Sequence, residues 1–176
     1  MLVKPLHVAA SLALGLGTGA ATAQDTATAE PTALAADQVI DALDDATLRA
    51  LLTQLSASVT PLDEEATTLR IAFPNGVIAI ARRMACTGQE ECKGLMLTAY
   101  LPVPDEVPAK RAEEVRRRSN LESLVATVVV NQLGEHVVKT YVILDGGITV
   151  ENLAIWIGLF SESARAYQEK LYVSAP

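Results

Sequence analysis

Residues 124–130 and 137–144 consist of Val, Leu, Ile, Thr, Tyr, one Ala and one Lys. β-branched side chains lose χ1 freedom against a helical turn and pack well on a pleated surface, so both runs predict strands. Asn131-Gln132-Leu133-Gly134-Glu135 separates them, with Gly134 suited to a positive-φ position, and together they predict a hairpin. An earlier hairpin is written in a different pattern. Leu69, Ile71 and Phe73 alternate with Thr68, Arg70 and Ala72, Pro74-Asn75-Gly76 breaks the run, and Val77, Ile78 and Ile80 resume it. A third strand over 95–101 follows Cys86 and Cys92, and Pro102, Pro104 and Pro108 end it.

Three helices interrupt these strands. Asp44 and Asp45 supply cap oxygens and negative charge to a helix whose apolar face is Leu48, Leu51, Leu52 and Leu55. Residues 109–119 predict a charged helix, with Glu113–Arg117 and Glu114–Arg118 as i,i+4 pairs. Asp145-Gly146-Gly147 turns the chain into a long helix over about 149–171. Its apolar stripe runs through Leu153, Trp156, Ile157, Phe160, Ala164, Tyr167 and Leu171, opposite Glu162, Arg165 and Glu169. The order α-βββ-α-ββ-α contains no repeated strand-helix-strand alternation, so the fold class is α+β with a mostly antiparallel sheet. Aromatic residues are few, which leaves Val, Ile, Leu and Ala to build the core.

The first 23 residues have the three parts of a secretory signal: Lys4, an apolar stretch over 6–16, and Ala21-Thr22-Ala23 as a small-x-small site, placing cleavage between Ala23 and Gln24. The stretch is shorter than the roughly 20 apolar residues a bilayer span needs, so no stable membrane anchor is expected from it. Residues 24–38, rich in Ala, Thr, Glu and Pro, read as a flexible leader, and 39–173 as one domain. Loss of Lys4 would take the net charge from -7 to -8, which argues against nucleic acid or anionic lipid as the main partner. The expected location is periplasmic or secreted.

In an exported chain Cys86 and Cys92 read as a disulfide across a short polar turn. Zinc would need more ligands than two Cys and one His, and thiol redox catalysis would want Cys-x-x-Cys at a strand-to-helix junction. His136 reads as a hairpin-end histidine partly in solvent, without a nucleophile turn to serve. Asp145-Gly146-Gly147 lacks phosphate-loop spacing, Arg116-Arg117-Arg118 reads as a solvated helix face, and Trp156, Phe160 and Tyr167 read as core. No catalytic, cofactor-binding or metal-binding residue is expected.

Three stretches resemble the YbjN family of bacteria: the cysteine pair followed by Lys93-Gly94-Leu95-Met96-Leu97, the paired strands over 124–142, and Leu144-Asp145-Gly146-Gly147-Ile148-Thr149-Val150-Glu151-Asn152-Leu153. The resemblance implies a type III secretion chaperone-like α+β fold and a non-enzymatic protein-binding or regulatory module, with an unidentified protein partner and a homodimeric state common in the family. Members commonly carry an aromatic-Asn pair in the middle helix, where this chain has Ser119-Asn120. The alternative function is a small-ligand or stress-sensing domain with a pocket under the terminal helix.

Overall fold

The computed structural model describes residues 33–62, 67–88 and 91–172. The signal segment, the Ala23–Gln24 junction and the leader up to residue 32 lie outside the described residues.

Helix α1 (Asp45–Gln54) starts as its sequence dictates, since Asp44 accepts a hydrogen bond from the Thr47 amide at 2.6 Å. Around it and two further helices, α2 (Ala109–Glu122) and α3 (Val150–Tyr172), six strands form one antiparallel sheet. These are β2 (Ser58–Pro61), β3 (Thr68–Ala72), β4 (Ile78–Thr87), β5 (Glu91–Leu101), β6 (Thr127–Val130) and β7 (His136–Ile143), in the order β2-β3-β4-β5-β7-β6. The two hairpins and the three helices are therefore where periodicity put them. Short elements without a periodic signal were missed: β2, and the two-residue pair β1 (Val39–Ile40) and β8 (Ile148–Thr149).

That small pair ties the start of the domain to the start of α3. The Val150 and Glu151 amides donate to the Gln38 and Ala36 carbonyls, and Gln54 donates to the Leu34 carbonyl at 3.0 Å. Residues 33–38 of the expected leader thus share backbone bonds with the domain. The turn before β8 needs glycine twice over at Gly147. Its φ is +87°, and a Cβ there would lie 2.7 Å from Val39 Cγ1.

Other boundaries differ for definite reasons. The cysteines sit within the strands, because β4 and β5 continue past residue 82 and before residue 95 and place Cys86 directly opposite Cys92. Helix α2 runs three residues further than expected, and the second hairpin's first strand begins at Thr127 rather than 124. Leu124 is 97% exposed, and Ser123 Oγ accepts from the Ala126 amide, so local polar bonding overrides β propensity there. The predicted i,i+4 pairs on α2 give way to Glu113–Arg116, Glu114–Arg111 and Arg118–Glu122.

One core cluster lies between the helices and one face of the sheet. Leu48, Leu51 and Leu52 of α1 and Leu153, Ile157, Phe160, Ala164, Tyr167 and Leu171 of α3 all belong to it. Phe160 is fully buried and meets Phe73 at 6.5 Å between centroids. Trp156, expected in the core, sits at its margin and donates from Nε1 to Thr140 Oγ1 at 3.1 Å. Glu122 accepts from Arg118 and Lys170, both at 2.7 Å, and links α2 to α3. These two donors hold its carboxyl down at about 2.

Candidate interaction surface

Antiparallel strands present alternate residues to opposite faces, and here the helices cover only one. On β4 the buried positions are Ala79, Ala81 and Arg83, while Ile78 and Ile80 point the other way. Ile78 and Ile80, two of the three apolar residues that announced this strand, thus lie on the open face, whereas Val77 is buried. Ile78, Tyr100, Tyr141 and Ile143 are 44–67% exposed on that face, and Met84 and Met96 are half-buried between them. The register sets Met96 between Arg82 and Tyr141, and Gly94 between Met84 and Ile143. Tyr141 lies across Gly94 so closely that any Cβ there would strike its ring. Gly94 is thus what allows an aromatic to lie flat on the open sheet.

Among the described strand residues the charge on this face is one-signed. In register phase with Ile80, Met96 and Tyr141, the ionisable cations among these residues are Arg70, Arg82 and Lys139 and no Asp or Glu occurs; Glu91 and Lys93, at the turn end of β5, fall in the opposite phase. Arg70, Arg82 and Lys139 make no ion pair among the described residues, whereas Arg49, Lys93, Arg111, Arg116, Arg118, Arg165 and Lys170 all do. A chain acidic overall therefore carries a locally cationic, apolar sheet face.

At one end the face runs into a groove of about 550 Å³. Strand β7 outruns β6: residues 136–139 pair with both neighbours, but 140–143 pair only with β5. Met96, Thr127 and Tyr141 of the sheet line the groove with Leu124, Val125 and Trp156. By contrast, the outer edge of β6 is closed by Asn120, whose side-chain amide accepts from the Val128 amide at 2.6 Å and donates to the Val128 carbonyl at 2.9 Å. Asn120 stands in for one residue of a further strand, a device that blocks edge pairing.

The remaining residues singled out in the sequence are placed apart from this surface. His136 is buried, a correction to the solvent-facing reading, because the start of β7 faces α3 and its Nδ1 meets the Tyr167 hydroxyl. Burial pushes the tyrosine pKa up, so its O–H donates and the imidazole accepts. Burial first, then the Arg116 charge, lower the histidine pKa, against an opposing Glu113. A neutral folded His136 means that only the unfolded chain takes up this proton near pH 6.5. The associated stability is complete above about pH 6.5 and is lost as pH falls from there toward the lowered folded value. Urea midpoints should therefore drop between about pH 7 and 5, and His136→Gln, which keeps an acceptor for Tyr167, should flatten that part of the profile. An equally steep profile in the variant would remove the assignment.

Arg116 pairs with Glu113 through two nitrogens at 2.7 and 2.6 Å, so this part of the arginine run is a self-paired helix face. Cys86 and Cys92 are joined, with Cα atoms 3.8 Å apart. Among the described residues, no group of three or more His, Cys, Asp and Glu side chains could hold a metal ion. The residues that sequence reasoning missed are Arg82, Met96, Lys139 and Tyr141. Their signal was strand alternation, whose phase became readable only once the covered face was known.

Three helices against one face of an antiparallel sheet, with the other face uncovered by any described helix, define an α+β domain with a one-sided core. The chain belongs to the YbjN family: residues 37–172 match it, under the description "Putative bacterial sensory transduction regulator". No curated protein matches the chain in sequence. Among solved structures it is similar to YbjN of E. coli, described as "a putative transcription regulator", at 17% identity and a TM-score of 0.55, over 74% of this chain and 92% of that one. It is similar to the HopA1-SchA chaperone-effector complex at 13% identity and a TM-score of 0.47, over 68% and 88% of the two chains. For the ExoU-SpcU heterodimer from the type III secretion system of Pseudomonas aeruginosa the values are 16%, 0.49, 70% and 97%.

Proposed function

We propose that this protein is an exported, non-enzymatic protein-binding module that works in the periplasm or outside the cell, using the open sheet face as its docking surface. The observation that carries the reading is that face: among the described residues, large apolar side chains and cations without an ion pair lie on a sheet face that none of the three helices covers. Exposed apolar area of this kind is what protein interfaces use. The groove opens to solvent at the sheet edge and has a mixed polar and apolar lining, which suits a polypeptide segment better than an enclosed small molecule. Export is supported by the signal pattern of residues 1–23 and by a bonded cysteine pair of the kind oxidising compartments maintain.

A photo-crosslinking amino acid at position 143 should trap a protein partner in cells, whereas the same group at position 162, on the outer side of α3, should not. The trapped product should carry a mature chain beginning at Gln24 by mass. Crosslinking at 162 alone would move the docking surface to the helices, and retention of residues 1–23 would overturn export.

A further inference from the structure

We propose that the segment received by the open face is acidic, with Asp or Glu side chains set against Arg82 and Lys139 and an apolar side chain seated in the groove beside Tyr141 and Trp156. The proposal rests on the protein-binding reading above and names the chemistry of the partner. Arg82 and Tyr141 flank Met96 in one row across the sheet, and Lys139 pairs with Thr98 in the next, so charge and apolar contact are offered together. A second copy fits badly, because two such faces would bring cations against cations. A membrane or a nucleic acid fits badly for a different reason. An extended anionic surface meets the net negative charge of the whole chain, while a short segment lies within a Debye length, about 8 Å, of the local cations.

Trp156 is the chain's one tryptophan and lines the groove, so its fluorescence reports occupancy directly. The probes are three synthetic nonapeptides in which Ile alternates with Glu, Gln or Lys. The Glu peptide should shift the Trp156 emission and bind about 2- to 30-fold more tightly than the Gln peptide, the range expected of two exposed ion pairs. That advantage should shrink as salt rises from about 0.05 to about 0.5 M. Combining Arg82→Glu with Lys139→Glu should transfer the preference to the Lys peptide, while Arg117→Glu on α2 should leave it with the Glu peptide. Equal affinities for Glu and Gln peptides, or a preference that survives the double reversal, would overturn the proposal. So would tighter binding of phosphatidylglycerol vesicles or of a single-stranded oligonucleotide than of the Glu peptide, if lost in the same double variant. Crosslinking of a protein at position 143 without any acidic preference sinks the acidic segment alone; failure of that crosslink as well sinks the protein-binding reading with it.

Discussion

Truncating Phe160 to Ala should lower the stability of the domain by about 3–5 kcal/mol, as large aromatic truncations in cores do. Phe160 is fully buried at the middle of α3 and packs against Phe73 at the hairpin turn, so its loss opens a cavity that neither rigid neighbour can close. For a domain with roughly 5–15 kcal/mol in hand this is a large fraction. Trp156→Ala, at the core margin with one hydrogen bond to Thr140, should cost less, about 1–3 kcal/mol, and Arg165→Ala under about 0.5 kcal/mol. Urea melts of the three variants check the order. A Phe160→Ala midpoint no lower than that of Trp156→Ala would show that the helix is anchored at its groove end instead.

Removing the cysteine pair should have the next largest effect. In the chain-entropy picture a closed loop this short contributes about 2 kcal/mol, so Cys86→Ala combined with Cys92→Ala should lower the urea midpoint by that equivalent. The consequence should be local in origin. The Cys92 carbonyl accepts the Leu43 amide at 2.9 Å, and Lys93 Nζ donates to the Asp41 carbonyl at 3.0 Å. The disulfide therefore steadies the strand segment to which residues 41–43 are fastened. Amide exchange in the double variant should accelerate first at Leu43 and along the β4–β5 hairpin. In the wild-type protein, thiol labelling without reductant should modify neither cysteine. Two reactive thiols in protein from the periplasm would remove the disulfide, and an unchanged midpoint would remove its structural role.

Much of this architecture could be read from the residues because the signals were strong and local. The Asp44 cap, the leucines of α1, the Asn75-Gly76 turn, the Val-rich hairpin and the stripe of α3 are each set by bonding or periodicity within one element. Elements of two to four residues, β1, β2 and β8, carry no period long enough to detect and exist because a neighbour pairs with them. Where two local preferences competed, as at 124–126, the bond from the Ala126 amide to Ser123 decided against the strand.

The element order, the antiparallel α+β class and the likeness to the YbjN family were legible in the residues, since these follow from propensity, turn chemistry and motif. The sequence also brought Cys86 and Cys92 close, because a six-residue separation across a turn leaves them few other places. Which face of each strand is covered depended on how the elements pack. Alternation fixes that successive side chains point apart but not which set points inward, and Ile78-Ala79-Ile80-Ala81 reads equally well in either phase. Packing of the helices on the sheet put the alanines inside and the isoleucines out, and the same phase gathered Arg82, Lys139, Met96 and Tyr141 on one open face. It also buried His136 against Tyr167, a contact between residues 31 apart that no local pattern encodes.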